Sequence, residues 1–464
     1  MTAPATTAPG IWDGRFVWVT IGAIALIFLA AMQSLAVTTV MPVVSADLDG
    51  DALYAVAFAG TLATSVIGMV AVGAWCDRTG PLAPLSTAVA LFVVGLVIAG
   101  FAQDMPTLVV GRLIQGLGTG GQTVALYVVV ARVYPPGLHG RVFAAFSAAW
   151  VVPSLIGPFL AGAVTEFFHW RWVFLGVAVL TLVAYVMVVL RLGGMRLHTE
   201  HPSSARVASR LAFAATVAVG LLGLSLAGEL GAWAWAGVAA SVIVVGFAVR
   251  PLIPRGTLVA TRGLPSVVLM RGLIAGALFG AEIYIPYLLI DQYGFSPTWA
   301  GLGLTTAAIA WAIASDVQGR YGDQLGNARI TLIGSAQLIV ATLIAASVAV
   351  WHLHPIVLVV GWAFAGGGMG LMYPRLTVLT LAYSTPANQG FNSSALSISD
   401  SVGAASAIAA MGLVFTALVG TDAGFPAVFV LAAALAALAL VPGLRMGHAH
   451  EKAAAHREVT APHA

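Results

Sequence analysis

The stretch "GAWCDRTG" (Gly73–Gly80) lies between two long apolar runs, Ala55–Trp75 and Leu82–Phe101, and supplies the only charges between them, Asp77 and Arg78. A helix of about 20 residues crosses a hydrocarbon core of about 30 Å. Each run is long enough to do so. A short charged turn between two such runs is the bend of a helical hairpin whose arms lie in a bilayer. The pattern then repeats outward in both directions.

Composition agrees. Of 464 residues, 60% are hydrophobic and 8% are charged, against about 25% charged in soluble domains. Lys452 is the sole lysine, so arginine supplies nearly all the positive charge. Cys76 is the sole cysteine, which excludes an internal disulfide and speaks against a cysteine-based zinc site. The net charge of +3 is small and scattered, which points away from nucleic acid. No HExxH string, nucleophile elbow or metal-ligand cluster appears, so an enzyme is not expected.

Fourteen membrane spans are expected. The first six run near Phe16–Val43, Ala55–Trp75, Leu82–Phe101, Thr107–Val133, Val142–Phe167 and Trp172–Leu190. Two shorter ones follow near Leu211–Ala227 and Ala232–Phe247. The last six run near Ser266–Ile290, Thr298–Val317, Ile330–Val350, Ile356–Leu381, Asn392–Leu418 and Phe425–Val441. The beginning, "MTAPATTAPG", lacks a basic n-region and reads as a tail rather than a signal peptide. The histidines of the polar end, "GHAHEKAAAHREVTAPHA", read as part of a solvated tail rather than as metal ligands.

Placing the N-terminus in the cytoplasm puts Arg78, Arg132, Arg141, Arg191, Arg196, Arg206, Arg210, Arg250, Arg255, Arg262, Arg320 and Arg329 in cytoplasmic connections. Asp47, Asp49, Asp51, Asp104, Glu166, Glu229, Asp291 and Asp422 then fall outside, with Arg171 the one clear outer basic residue. Both termini are therefore expected in the cytoplasm of a cell with this chain in its plasma membrane. Two polar stretches, Arg191–Arg206 and Arg250–Pro265, divide the spans six, two and six. The expected domains are a tail (1–15), a six-helix bundle (16–192), a linker with two extra helices (193–264), a second bundle (265–444) and a tail (445–464). Transporters are commonly built from such repeated halves. A faint echo supports the repeat: "SDVQGRYG" (Ser315–Gly322) closes the second span of the second half, as "GAWCDRTG" closes that of the first.

At these residues the chain resembles the major facilitator superfamily, and more narrowly its fourteen-helix drug:proton antiporters. The resemblance covers nearly the whole length. Gly73, Asp77, Arg78 and Gly80 match the family's Gly-x-x-x-Asp-Arg-x-Gly loop, whose charges latch the halves, and Arg320 stands at the equivalent place in the second half. "PLAP" follows, where family members usually carry basic residues. Gly157, Pro158 and Gly162 match the antiporter signature of the fifth span, while Pro153 and Ala161 replace its usual glycines. The string "WRWVF" (Trp170–Phe174) is family-like but equally suits an interfacial aromatic belt.

The resemblance implies an all-α fold of two six-helix bundles plus a two-helix insertion. In the fourth span Arg112, Gln115, Thr119 and Gln122 share one helix face. An arginine inside a span is costly and marks function by default. The family associates an arginine in this Gly-Arg-x-x-Gln-Gly string with proton coupling. The acids within spans are Glu282, Asp316 and Asp400. Asp316 lies close enough to the inner end to reach water. Desolvation opposes ionisation of a carboxyl and a nearby cation favours it, so Glu282 and Asp400 can exchange protons; either could instead make a structural helix–helix hydrogen bond. Arg375 is expected to partner one of them.

Gln33 stands nine residues before Pro42, where related exporters carry an acid. By helical rise it lies roughly 25 Å from the inner end of its span, and Arg112 roughly 9 Å from the outer end of the fourth, so the two fall at similar depth. Glu282 has nearly the same depth in the other half. An amide cannot titrate. Either proton coupling has moved to Glu282 or Asp400, or the glutamine mimics a protonated carboxyl and holds one conformation.

The expected function is proton-driven export of hydrophobic or cationic small molecules by alternating access. Gln115, Gln122, Trp150, Tyr284, Tyr287 and Arg375 are the expected cavity residues. The expected partners are substrate, protons and the lipid bilayer, with no cofactor beyond the proton gradient, and the chain is expected to act as a monomer. The rivals are a lipid or metabolite transporter of the same fold, and a non-transporting receptor or scaffold.

Overall fold

The structure is a computed structural model and describes residues 10–192, 207–384 and 389–447. The polar connection at 193–206 and most of both expected tails lie outside these residues. Within them the chain is helical, with fourteen segments long and apolar enough to cross a membrane. The first half comprises α1 (Val17–Asp47), α2 (Tyr54–Thr79), α3 (Leu82–Gly100), α4 (Met105–Val133), α5 (Pro136–Phe167) and α6 (Arg171–Leu192). The insertion is α7 (Val207–Ser225) and α8 (Ala234–Ala248). The second half comprises α9 (Leu264–Glu282), α10 (Tyr284–Asp291), α11 (Pro297–Trp351), α12 (Pro355–Ala382), α13 (Gln389–Ala417), α14 (Gly424–Leu438) and α15 (Leu440–Gly443). Helices suit these sequences because hydrocarbon offers no partner to an unbonded peptide group.

One span differs from the sequence reading. The ninth is broken at Ile283 into α9 and α10. Pro286 explains the break: it has no N–H to give the Glu282 carbonyl, and its ring crowds that oxygen. The tenth and eleventh spans, Pro297–Gly322 and Gln324–Trp351, are the two arms of α11, which turns at Gly326 (φ 75°, ψ 159°). That backbone conformation is open to glycine and strained for other residues.

The repeat seen faintly in the turns is clear in the packing. Gly116 and Gly120 of α4 lie against the backbone of Thr61 and Ser65 in α2, and Gly118 lies against Phe92 in α3. In the second half, at the same spacing, Gly366 and Gly370 of α12 lie against Ala307 and Trp311 in the first arm of α11, and Gly368 lies against Gly334 in its second arm. The fourth span of each half thus meets the second and third through the same triplet. Lipid tails are as apolar as leucine, so close backbone approach supplies the helix association that the hydrophobic effect cannot. A Cβ at Gly120 or Gly370 would overlap a carbonyl oxygen of the facing helix. Gly120→Val and Gly370→Val should each destabilise the folded protein by about 1–3 kcal/mol. Thermal unfolding in detergent checks this, and unchanged melting temperatures would rule out these crossings as the cause of association.

The halves meet where α5 packs on α11 and α2 on α13. The insertion sits at this seam: α7 packs on both α2 and α13, and α8 packs on α7. Below, the inner face is the one bearing the N-terminus and the outer face is the opposite one.

Candidate functional site

Among the described residues, hydrogen bonds join the halves between the outer face and about mid-depth. Thr298 Oγ1 donates to Glu166 Oε2 at 2.6 Å, Thr305 Oγ1 to the Leu155 carbonyl at 3.3 Å, and Tyr54 Oη to the Ile283 carbonyl at 2.7 Å. The antiporter-signature residues lie along this seam. A Cβ at Gly162 would stand 2.5 Å from the Pro297 carbonyl, the Pro158 carbonyl is pressed against Gly301, and Gly157 faces Met32 of α1. Toward the inner face, Arg78 is exposed. Arg320 pairs with Asp316 of its own helix, Nε to Oδ2 at 3.0 Å, with both side chains more than half exposed. Gly80 ends α2 with φ 85°, and the Gly73 position has room beside Val124. The Asp77 side chain lies outside the described residues. The seam contacts close the halves together at the outer face.

The Tyr54 bond ties the closure to the helix break. Tyr54 is buried and packs against Tyr284 and Tyr287, which with Phe415 and Phe425 form one aromatic cluster. Tyr54→Phe keeps the ring and removes the donor that Ile283 uses, so it should raise the outward-open population several-fold, as one hydrogen bond contributes about 0.5–1.5 kcal/mol. Cysteine accessibility at the outer seam reads this out, and an unchanged labelling rate would show that the bond is not a gate.

In the first half Arg112 is buried. Its Nε donates to the Ala57 carbonyl at 3.2 Å and its Nη1 to Gln115 Oε1 at 2.7 Å. Gln122 Nε2 donates to the Leu26 carbonyl at 3.0 Å. Gln33 has no solvent exposure, and neither its amide nitrogen nor its oxygen has a hydrogen-bond partner. Similar depth therefore does not make Gln33 and Arg112 a bonded pair. Leaving a buried amide unsatisfied costs about 1–3 kcal/mol, a cost that calls for a functional reason.

The second half holds a cluster that the sequence reading missed. Arg271 of α9 donates from Nε to Asp400 Oδ1 of α13 at 2.8 Å and from Nη1 to the Tyr373 carbonyl of α12 at 3.1 Å. The Tyr373 hydroxyl donates to the same Asp400 oxygen, and the guanidinium carbon stands 3.1 Å from the Tyr373 ring centroid. The ion pair keeps a wet side, with 13% of the Arg271 side chain and 26% of that of Asp400 exposed. Tyr127 of α4, in the other half, is half-exposed, stacks on Phe146 and interacts electrostatically with Arg271. The cluster therefore faces the space between the halves. Glu282 shares a face of α9 with Arg271, eleven residues or roughly 16 Å along the axis. It is partly buried, and among the described residues it makes no hydrogen bond or ion pair.

Several expected roles change. Arg375 partners neither acid: its Nε donates to Asn327 Oδ1 at 2.8 Å, because α12 turns it toward α11 while Arg271 reaches Asp400. Tyr284 is buried in the outer closure instead of lining an open cavity, and Tyr287 is partly buried in the same cluster. Gln115 and Gln122 are buried and engaged. Trp150 is half-exposed and lies on the helical stripe through Ser154 to Pro158, which ends at the α11 seam. Trp170 Nε1 donates to Asp47 Oδ2 at 2.8 Å, fastening α6 to the end of α1. The rule that singles out Arg112, a charge within an apolar run, applies equally to Arg271.

Asp104, just outside the membrane, caps α4 by accepting the Thr107 N–H at 2.7 Å, which holds its carboxyl below the ordinary aspartate range.

A family model described as Major Facilitator Superfamily matches residues 23–403 and 267–461. A multidrug efflux pump of Staphylococcus aureus, SdrM, is 24% identical over 79% of this chain and 82% of its own length. An uncharacterised transporter of Schizosaccharomyces pombe is 26% identical over 85% of this chain and 71% of its own. Some other curated relatives are matched over only 55% to 58% of their length. A crystal structure of a D-xylose–proton symporter superposes with a TM-score of 0.67 at 14% identity, covering 93% of this chain and 98% of that one. With two six-helix halves, a two-helix insertion at their seam and a family match over most of its length, the chain belongs to the Major Facilitator Superfamily.

Proposed function

We propose that this transporter exports hydrophobic or cationic small molecules from the cytoplasm by alternating access, driven by inward proton flow. The observation that carries the reading is a pair of intramembrane carboxyls: Glu282 beside the helix break, with no hydrogen bond or ion pair among the described residues, and Asp400 in a partly exposed ion pair with Arg271. A carboxyl whose partner is a movable cation can exchange that partner for a proton or for a cationic substrate. Trp150, Tyr127 and Tyr373 add aromatic faces suited to organic cations. The likeness to SdrM supports an exporter.

Reconstitution tests this. Proteoliposomes with an imposed pH gradient should accumulate cationic dyes against their gradient, and collapse of the gradient should abolish accumulation. Dye movement indifferent to the gradient would overturn proton coupling.

Orientation belongs to the same reading. In a Cys76→Ala background, Asp49→Cys should be labelled by an impermeant maleimide applied to intact cells, and Arg196→Cys should not. The reverse pattern would invert the topology and turn export into uptake.

A further inference from the structure

We propose that a cleft at the inner face, between α7 and the start of α13, binds the phosphate of an anionic phospholipid. The cleft encloses about 410 Å³ and collects three guanidiniums from three separate elements: Arg210 in the first turn of α7, Arg250 in the 3₁₀ turn after α8, and Arg255 in the loop beyond. None is in an ion pair or hydrogen bond among the described residues, and the Arg210 guanidinium carbon lies over the Phe391 ring, 5.6 Å from its centroid.

Three cations around one cleft repel one another, and an anion between them relieves the repulsion. Guanidinium forks match phosphate oxygens in geometry as well as charge.

Two observations favour a lipid over a free anion. The cleft lies at the ends of membrane-spanning helices, at the depth of headgroups. It also opens onto an apolar flank: Phe213 lines it and contacts Phe247, with ring centroids 6.4 Å apart, and Phe247 and Ile243 of α8 are strongly exposed. A headgroup held by the arginines would lay its acyl chains along that flank. A lipid there would clamp the insertion to α13, which bears Asp400 nine residues after Phe391. The site is independent of what the protein transports.

The test uses the full chain in detergent with added dioleoyl-phosphatidylglycerol, dioleoyl-phosphatidylcholine or inorganic phosphate. Native mass spectrometry should show a saturable phosphatidylglycerol adduct, and that lipid alone should raise the melting temperature. Arg210→Gln, Arg250→Gln and Arg255→Gln combined should weaken phosphatidylglycerol binding roughly tenfold or more. The three Lys replacements should keep part of it, and Arg329→Gln elsewhere on the inner face should keep all of it. Equal binding of the two lipids to the wild-type protein would overturn the proposal without needing any variant. So would full binding by the triple Gln variant. Equal protection by inorganic phosphate would replace the lipid with a soluble anion.

Discussion

Gln33→Glu is expected to raise pH-gradient-driven efflux and to make substrate affinity depend on pH, by up to about tenfold per pH unit for one linked proton. The buried amide makes no hydrogen bond, so the position has neither a donor nor an acceptor to keep. A carboxylate there would lie in the same half as the buried guanidinium of Arg112, which now bonds to Gln115 and the Ala57 carbonyl. It could draw Arg112 away when ionised and release it when protonated. A cationic substrate and a proton would compete for that carboxylate, so affinity should rise as pH rises. Gln33→Leu gives the opposite control. Replacing an unsatisfied amide with an apolar side chain of similar size should stabilise the fold by about 1–3 kcal/mol and leave transport driven through Glu282 and Asp400. If Gln33→Glu leaves efflux and its pH dependence unchanged in a folded protein, the position has no part in coupling.

Arg271→Gln and Asp400→Asn are each expected to abolish driven efflux and to lower stability. Removing one partner of a fully buried pair costs about 3–5 kcal/mol. Here the cost should be smaller, because about a quarter of the Asp400 side chain reaches solvent. The double variant leaves no uncompensated charge, so its melting temperature should recover while its efflux stays lost. That separation distinguishes a working ion pair from a structural one. Wild-type efflux in either single variant would remove the pair from the mechanism and leave Glu282 as the remaining acid.

The charges most open to reading were those interrupting long apolar runs. Arg112, Glu282 and Asp400 stand out because a charge in hydrocarbon is too costly to be incidental. Arg271 obeys the same rule, although no family motif covers it. Partners are a different matter. Nothing in the spacing of α9, α12 and α13 says that Asp400 meets Arg271 instead of Arg375, since the choice depends on how each helix is rotated about its axis. Spans apolar on all sides carry little information about that rotation.

Length and apolar content alone determined the class and the number of crossings, because a bilayer demands helices of one length and bars unbonded backbone. The turn at Gly73–Gly80 and the Gly-Pro signature of α5 determined the family resemblance. Tertiary structure decided the rest. It showed that the glycine triplets Gly116–Gly120 and Gly366–Gly370 carry the twofold repeat, a match invisible in sequence because the helices they face share only small size. It placed the insertion at the seam and closed the outer face through Tyr54 and the carbonyl of Ile283. Above all it left Gln33 without a partner. Hydrogen bonds and ion pairs form between helices far apart in the chain, so their presence or absence is a property of the packed bundle and not of any one span.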